Sequence, residues 1–329
     1  MSLAGLLGTV AEDPAIRPLL TAPPDAFPTG QRDIVAPQAL RPVLAAAIAG
    51  GERRRFVLAV TATAREAEDL TAALGAFLPP HTVAYFPGWE TLPHERLSPR
   101  SDTVGRRIAV LRRLAHPAQD DPVEGPLRVV VAPIRGVLQP IVAGLGDLAP
   151  VRLLPGEDAD PEDVITRLVE IGYARVEVVS RRGELAVRGG LLDVFPPTEE
   201  HPLRIEFFGD TVEEIRVFKV ADQRSSGPAE HGLWAPPCRE LLLTTSVRAR
   251  AKELADQHPS VADMLGKVAD GITVEGMEAF TSVLADHMEL LLDHVPLGGV
   301  VLACDPERIR TRAEELVATS QEFLEASWA

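Results

Sequence analysis

The sequence predicts an α/β protein, and three observations on its 329 residues lead to that class. Between residues 34 and 149, apolar segments of strand length alternate with segments of helical periodicity. From about residue 173 to 217 the apolar residues recur with a period of two. Alternating helices and strands then return after residue 240. Apolar strands spaced by helices indicate a parallel sheet covered on both faces, whereas a two-residue period indicates half-buried strands.

The first region supplies the parallel strands. Its strand-like segments are short and rich in Val, Leu and Ala, namely Phe56–Val60, Val83–Phe86 and Leu127–Ala132. Amphipathic helices are predicted between and around them, over residues 37–49, 64–77 and 102–114. Ser101 is the expected N-cap of the third of these helices.

A small antiparallel sheet is predicted to follow a single helix in the second region. Pro161, behind the N-cap Asp160, opens an amphipathic helix that ends at Gly172. Beyond this helix, apolar and polar residues alternate around residues 175–178, 184–188 and 203–217. We expect this sheet to have one buried and one solvated face. Gly189-Gly190 is expected to form a β-bulge that re-aims the neighbouring side chains.

The last hairpin of this sheet has a predictable register. A three-residue loop at residues 209–211 pairs Ile205 with Ile215 and keeps the apolar residues on one face. A two-residue turn would place Arg204 opposite Ile215 and mix the faces. We therefore predict the three-residue loop, which sets Arg204 opposite Arg216.

The third region returns to an α/β pattern. We predict strands at Leu241–Leu243 and Gly299–Ala303, with helices over 246–256 and 278–285. The last strand is expected to complete the fold of the first region. Asp305-Pro306 opens a final helix, and the chain reaches Ala329 without a Gly or Pro stop signal, which indicates a piece of a longer protein.

Composition narrows the functional classes. Hydrophobic residues make up 46% of the chain and no apolar segment is long enough to span a membrane, so we expect a cytoplasmic protein. A net charge of -15 repels phosphate backbones and argues against DNA binding as the main role. Cys238 and Cys304 have no Cys or His at ligand spacing, which favours core thiols over a disulfide or a zinc site. Neither G-x-S-x-G nor H-E-x-x-H occurs, so no catalytic or metal-binding residue is assigned.

Two segments carry a family signature. Residues 85–103, beginning Tyr85-Phe86-Pro87-Gly88-Trp89, resemble a motif of the transcription-repair coupling factors (Mfd). Residues 182–216, which contain Arg188-Gly189-Gly190-Leu191-Leu192-Asp193, resemble the UvrA-binding domain that these factors share with UvrB. The resemblance implies a helicase-like (RecA-like) domain that is interrupted by a small α/β domain, as in UvrB domains 1a, 2 and 1b. The implied domains are residues 1–146, the UvrA-binding domain at 147–222, and residues 223–329, which complete the first.

The resemblance also implies partners and a role. UvrA is the expected partner of this chain, while RNA polymerase and DNA are expected to bind other parts of a longer parent protein. The carboxy-terminal part of that parent is expected to mask the UvrA-binding face. The implied role is recruitment of UvrA, which links stalled RNA polymerase to nucleotide excision repair. The alternatives left open are a DNA-binding module and a vestigial helicase-like ATPase.

The nucleotide site of a UvrB-like domain is missing from the sequence. Its phosphate loop would read G-x-x-x-x-G-K-[ST], and no such segment occurs. At the corresponding place, residues 33–42 contain Pro37 and Pro42, which have no amide hydrogen, and no Lys. We therefore expect no cofactor and no catalysis in this chain. By resemblance, ATP and Mg²⁺ belong to the motor part of the parent protein.

The polar face of the small sheet is the candidate partner-binding site. The planar guanidinium of arginine binds carboxylates bidentately and is weakly hydrated, which suits protein interfaces. Opposed like charges at Arg204 and Arg216 are destabilising unless an acidic partner neutralises them. The alternative is a solvated face with diagonal ion pairs such as Arg204 with Glu214. The candidate UvrA contacts are Arg188, Leu192, Arg175, Arg182, Arg204, Arg216 and Phe208, of which the resemblance assigns Arg188 and Leu192 most directly.

Two further features, the arginines of one helix and Trp89, are candidate sites for which a structural role is predicted instead. The helix over residues 102–114 carries Arg106, Arg107, Arg112 and Arg113. Because the chain is acidic overall, we predict a solvated helix face there and not a DNA contact. Trp89 is predicted to be a packed loop anchor whose indole N–H is satisfied locally.

Overall fold

The computed structural model describes residues 3–21, 30–51, 54–92, 95, 97–117 and 125–328. The helices of these residues are α1 (Leu6–Glu12), α2 (Arg17–Thr21), α3 (Arg41–Gly50), α4 (Ala64–Leu74), α5 (Ser101–Ala115), α6 (Ile134–Leu138), α7 (Pro161–Glu170), α8 (Thr245–Gln257), α9 (Ala262–Ala269), α10 (Thr281–Leu284) and α11 (Pro306–Trp328). The strands are β1 (Val57–Thr61), β2 (Val83–Tyr85), β3 (Val129–Pro133), β4 (Ile141–Val142), β5 (Val151–Leu153), β6 (Ala174–Arg175), β7 (Glu184–Arg188), β8 (Leu191–Val194), β9 (Leu203–Phe208), β10 (Thr211–Phe218), β11 (Ser225–Pro228), β12 (Leu233–Ala235), β13 (Met288–Glu289) and β14 (Val300–Ala303).

The chain divides into two compact units. One contains residues 1–88, 110–140 and 289–329, and the other contains residues 89–109 and 141–288. The domain boundaries near residues 147 and 222 stay predictions. Among the helices of the described residues, none is long and apolar enough to cross a membrane.

A parallel sheet of four strands forms the centre of the first unit, in the order β14-β1-β3-β2. Val57 pairs with Val300 on one side and with Val129 on the other. The last strand therefore joins the first, as predicted for residues 299–303. β1 and β3 are buried along their whole length, which explains their continuous apolar sequence. Side chains of α3 and α4 pack on the sheet, and Cys304 lies in the same core.

A mixed sheet of six strands, in the order β11-β10-β9-β8-β7-β6, lies in the second unit. Its pairs are antiparallel except β6 with β7. One face packs on α7, whose Val164 and Leu168 are buried among the apolar residues of β7 to β10. α7 begins as predicted, with Asp160 accepting a hydrogen bond from the Glu162 amide at 2.8 Å.

The β9–β10 hairpin has the predicted register but not the predicted loop. Ile205 pairs with Ile215, and Arg204 pairs with Arg216. The turn has only two residues, because Thr211 already pairs with Phe208, and a β-bulge before Glu214 restores the alternation. Gly209 supplies the positive φ of +61° that such a tight turn needs.

Two local predictions in this unit are corrected. Gly189-Gly190 is a two-residue hairpin turn and not a bulge, since Arg188 pairs directly with Leu191. Residues 241–243 form no strand, and Leu241 is instead buried in a core with α8 and α9. The strands that the sequence pattern missed include β5 and β12, which pair with each other through Arg152 and Trp234.

Candidate functional site

The outer face of the six-stranded sheet is the side opposite α7. Alternate residues of β7 to β10 form it in rows across the strands. One row is Arg188, Leu191, Glu206 and Glu214, and the next is Ala186, Asp193, Arg204 and Arg216. Phe208 and Phe218 lie on the same face at the two ends of the hairpin. Most of the predicted site residues therefore share one surface.

Half of this outer face is covered by the chain itself. Residues 176–182, the covering segment, and residues 218–224 contribute to a small second core there, which contains Val179, Ala186, Phe195 and Phe218. We call this part, with Asp193 and Arg204, the covered half. The open half is Arg188, Leu191, Glu206, Phe208, Glu214 and Arg216. The expectation of one uniformly solvated face is therefore wrong for the covered half.

Arg204 is neutralised within the covered half. Its Nε and Nη2 atoms donate to the two carboxylate oxygens of Asp193, both at 2.7 Å, and Nη1 donates to the Gln223 carbonyl at 3.2 Å. The guanidinium also lies 4.7 Å from the centre of the Phe218 ring. The hydrogen bond to Asp193 raises the pKa of Arg204, against the opposing effect of burial. The diagonal pair of Arg204 with Glu214, an example under the alternative of a solvated face, does not form, because Arg204 pairs with Asp193.

Arg188 differs from Arg204 in both exposure and partner. Its side chain is exposed at the end of β7. The Nε and Nη2 atoms both donate to the carbonyl oxygen of Glu177, at 3.3 and 3.0 Å. Within the described parts of the chain, no carboxylate pairs with this guanidinium. Arg188 therefore keeps a positive charge that its own chain orients but does not neutralise.

Arg216 forms an exposed ion pair with Glu214, two residues earlier on the same strand. This hydrogen bond lowers the pKa of Glu214 and raises that of Arg216. The pair lies on the strand surface with both side chains more than a third exposed. The charges of Arg204 and Arg216, predicted to face each other, are thus each balanced by a different carboxylate.

Arg182 lies at the margin of the outer face, whereas Arg175 is in register with Leu185 and so belongs to the α7 side of the sheet. Arg182 is half-buried, donates from Nε to the Glu199 carbonyl at 2.9 Å, and lies 5.2 Å from the Phe195 ring centre. Arg175 is exposed on the edge strand β6. Arg182 therefore helps to close the covered half, and Arg175 presents its charge to solvent.

The two apolar residues predicted to contact UvrA differ in burial, since one is buried and the other is exposed. Leu192 is 1% exposed and belongs to the core against α7, so the prediction that it supplies surface to a partner conflicts with its burial. Phe208 is 78% exposed at the end of β9. Leu191, which sequence reasoning missed, stands directly opposite Arg188. Interpreting Gly189-Gly190 as a two-residue turn would have placed Leu191 on the arginine face.

Comparisons with known proteins relate this chain to proteins of transcription-coupled repair. Residues 151–236 match the family described as the UvrB interaction domain. The chain is 52% identical over 307 residues to the transcription-repair-coupling factor of Mycobacterium tuberculosis, covering 90% of this chain and 24% of that protein. The corresponding proteins of Myxococcus xanthus and Bacillus subtilis are 31% and 27% identical over 278 and 305 residues, covering 77% and 86% of this chain and 22% and 25% of theirs. Residues 151–236 form a UvrB interaction domain in a homologue of transcription-repair coupling factors. The chain spans about a quarter of the length of these relatives.

The whole outer face lies within this UvrB interaction domain, because its residues fall between 176 and 224.

The arginines of α5 lie outside the UvrB interaction domain, and the prediction that they form a solvated helix face is corrected in part. Arg107 is fully buried, and its guanidinium pairs with the buried Glu240 carboxylate, with Nε to Oε1 at 2.5 Å. The predicted solvated face is therefore wrong for Arg107. Arg113 is half-buried and donates to the carbonyls of Gly125 and His81.

Trp89 is a packed anchor, as predicted. It is 6% exposed, and its indole Nε1 donates to Glu240 at 2.9 Å. The acceptor lies 151 positions away in the sequence and is not local. Trp89 belongs to the motif at residues 85–103. Within that motif, Pro93, His94 and Arg96 lie outside the described residues.

Neither a metal site nor a reactive thiol emerges from the described residues. Those residues contain no group of three or more His, Cys, Asp or Glu side chains placed to hold a metal ion. Cys238 and Cys304 are buried, as predicted, and burial raises the pKa of the Cys304 thiol to about 11. At the position where a UvrB-like domain would carry its phosphate loop, residues 31–37 lead through a 3-10 turn at Gln38–Leu40 into α3. The absence of a cofactor in this chain stays a prediction.

Proposed function

We propose that the open half of the outer face binds UvrA, and that this chain is the UvrA-recruiting part of a transcription-repair coupling factor. The names of its relatives support a role in coupling transcription to repair. The UvrB interaction domain at residues 151–236 supports a protein-binding role for the surface. In this proposal the chain links RNA polymerase stalled at a lesion to nucleotide excision repair.

One observation carries the proposal, namely the exposed and uncompensated charge of Arg188. A guanidinium in this position has donors left for a carboxylate, which it can grip bidentately. Phe208, at 78% exposure, offers a large apolar side chain on the same face, and Leu191 stands beside Arg188. An aromatic and an arginine on one surface are the residue types that dominate binding energy at protein interfaces.

The remaining parts of the proposal concern the longer parent protein. We assign ATP and Mg²⁺ to a motor part outside this chain, and RNA polymerase and DNA to further parts. The carboxy-terminal part of the parent is proposed to mask the open half until repair is needed. The layout of UvrB domains 1a, 2 and 1b is proposed for the two units of this chain, without catalysis of its own.

The proposal is tested by measuring UvrA binding to the whole chain and to Arg188→Ala. Loss of the arginine is expected to weaken binding by about 1 to 3 kcal/mol. Arg65→Ala is the matched control, because Arg65 is 89% exposed on α4 of the other unit and should leave binding unchanged. Failure of the wild-type chain to bind UvrA would remove the function, and equal binding by Arg188→Ala would remove the assigned site.

A further inference from the structure

A continuous series of contacts runs from the buried carboxylate of Asp193 to the exposed guanidinium of Arg188. We infer that Arg204 and Gln223 are positioning residues, which fix the covering segment so that its Glu177 carbonyl holds Arg188 ready for a partner carboxylate. Arg204 itself makes no contact with the partner in this account. The inference rests on the proposed function for its binding consequence, but the positioning exists in the unbound chain.

The series begins at a fixed point inside the covered half. Asp193 is 3% exposed on β8, and both of its oxygens accept from Arg204 at 2.7 Å. Two parallel charge-assisted hydrogen bonds hold a guanidinium in one plane. Stacking over Phe218 limits its remaining freedom. Arg204 can therefore present its third nitrogen, Nη1, in only one direction.

Arg204 transmits this fixed orientation to Gln223. Its Nη1 donates to the Gln223 carbonyl, and the Gln223 amide donates to the Lys219 carbonyl at 2.8 Å. Gln223 has a φ of +59°, a conformation that is uncommon for residues other than glycine. Such a conformation persists only where the surroundings hold it, and the surrounding hydrogen bonds do so here.

Gln223 in turn holds the covering segment. Its side-chain Nε2 donates to the Val179 carbonyl at 3.3 Å and to the Val220 carbonyl at 3.0 Å, which joins the two segments that close the covered half. The Val179 side chain is fully buried in the same small core. Val176 donates its amide to the Leu185 carbonyl at 2.9 Å. The residues between Val176 and Val179 are therefore fixed at both ends.

Glu177 lies within this fixed stretch, and its carbonyl accepts both hydrogen bonds from Arg188. An arginine that is already oriented loses less side-chain freedom when it binds than a mobile one. From the usual cost of ordering one long side chain, we expect the positioning to strengthen binding about 2- to 10-fold.

Gln223→Gly is the sharpest test, because glycine adopts the positive φ without strain and keeps the carbonyl that Arg204 uses. The substitution removes the side-chain amide, and with it the hydrogen bond to Val179 of the covering segment and the bond to Val220 of its own loop. In the unbound chain, ¹⁵N relaxation of the Arg188 Nε–H group is expected to show lower order in Gln223→Gly. Lys219→Ala, on the same loop and with an exposed side chain, is the control and should leave that order unchanged. Unchanged order in Gln223→Gly overturns the inference whether or not UvrA binds.

A double-mutant cycle on UvrA affinity tests the binding consequence. Gln223→Gly is expected to weaken binding 2- to 10-fold in the wild-type chain, and to have almost no effect when Arg188 is already alanine. Equal effects in both backgrounds would show that Gln223 acts independently of Arg188 and would overturn the positioning role. Absence of binding by the wild-type chain would refute the proposed function instead, and the relaxation measurement alone would then decide the positioning.

Discussion

The covered and open halves of the outer face present the same residue type in two different states. Arg188 and Arg204 occupy outward positions on β7 and β9, the two strands that flank β8. Arg204 is bound bidentately by Asp193, whereas Arg188 donates to a carbonyl oxygen. The difference arises from residues 176–182 and 218–224, which return over one half and leave the other uncovered. Strand alternation thus specifies which side of a sheet a residue faces, whereas the segments that cover the sheet determine whether that side is exposed to solvent.

The largest expected effect is on stability, in the covered half. Arg204→Met leaves the Asp193 carboxylate buried without its partner, which should lower the free energy of unfolding by about 3 to 5 kcal/mol. Urea denaturation measures this change. Replacing both partners, Arg204→Met with Asp193→Leu, should restore most of the loss, since no buried charge then remains. A loss below about 1 kcal/mol for Arg204→Met would mean that the two halves do not differ as described.

Substitutions in the open half are expected to change UvrA affinity and to leave the free energy of unfolding almost unchanged. Phe208→Ala removes an exposed ring, so UvrA affinity should fall by about 1 to 2 kcal/mol. The free energy of unfolding should change by no more than about 0.5 kcal/mol. Calorimetric titration and urea denaturation provide the two numbers. Leu297→Ala, at a fully exposed apolar residue of the other unit, should alter neither.

Arg188→Ala isolates the difference between the two arginines. Its removal breaks exposed hydrogen bonds to one carbonyl and leaves no buried charge, so the free energy of unfolding should stay within about 0.5 kcal/mol of wild type. Urea denaturation beside Arg204→Met gives the direct contrast. Similar losses in the two variants would contradict the division into halves.

The smallest expected effect is on the pH dependence of stability, and it concerns the carboxyl group of Glu199. Burial raises the pKa of Glu199, opposed by His231, whereas Arg216 lowers the pKa of Glu214. A raised pKa in the folded state favours folding below the usual glutamate value, and this contribution is lost as the pH rises through the raised value. Glu199→Gln should therefore be more stable relative to wild type at pH 7 than at pH 4. Thermal unfolding at both pH values measures it, and an equal difference at both would refute the assignment.

Much of the fold could be predicted because its signals are local. The apolar strands, the Asp160 cap and the pairing of Ile205 with Ile215 follow from short-range patterns. The Asp193–Arg204 pair was not predicted, since 11 residues and a turn separate its members. Phe218, on the same face as Arg216, was an apolar signal that this face is partly buried.

Arg107 shows a signal that was present but outweighed by residue type. At three positions after Val104 and four before Leu111, it falls in the apolar stripe of α5, and it is buried there. Its partner Glu240 is 133 residues away, beyond any local pattern. Gly105 lies on the same helix, and a Cβ there would stand 2.5 Å from the Pro197 side chain, a close approach that only the structure reveals.

Hydrogen exchange of the whole chain, with and without UvrA, tests the central claim most directly. We expect UvrA to protect the backbone amides around the Gly189-Gly190 turn and the β9–β10 hairpin. Amides of the parallel sheet, including β1 and β3, should exchange equally in both states. Protection confined to α5 or the parallel sheet, with the open half unchanged, would contradict the account.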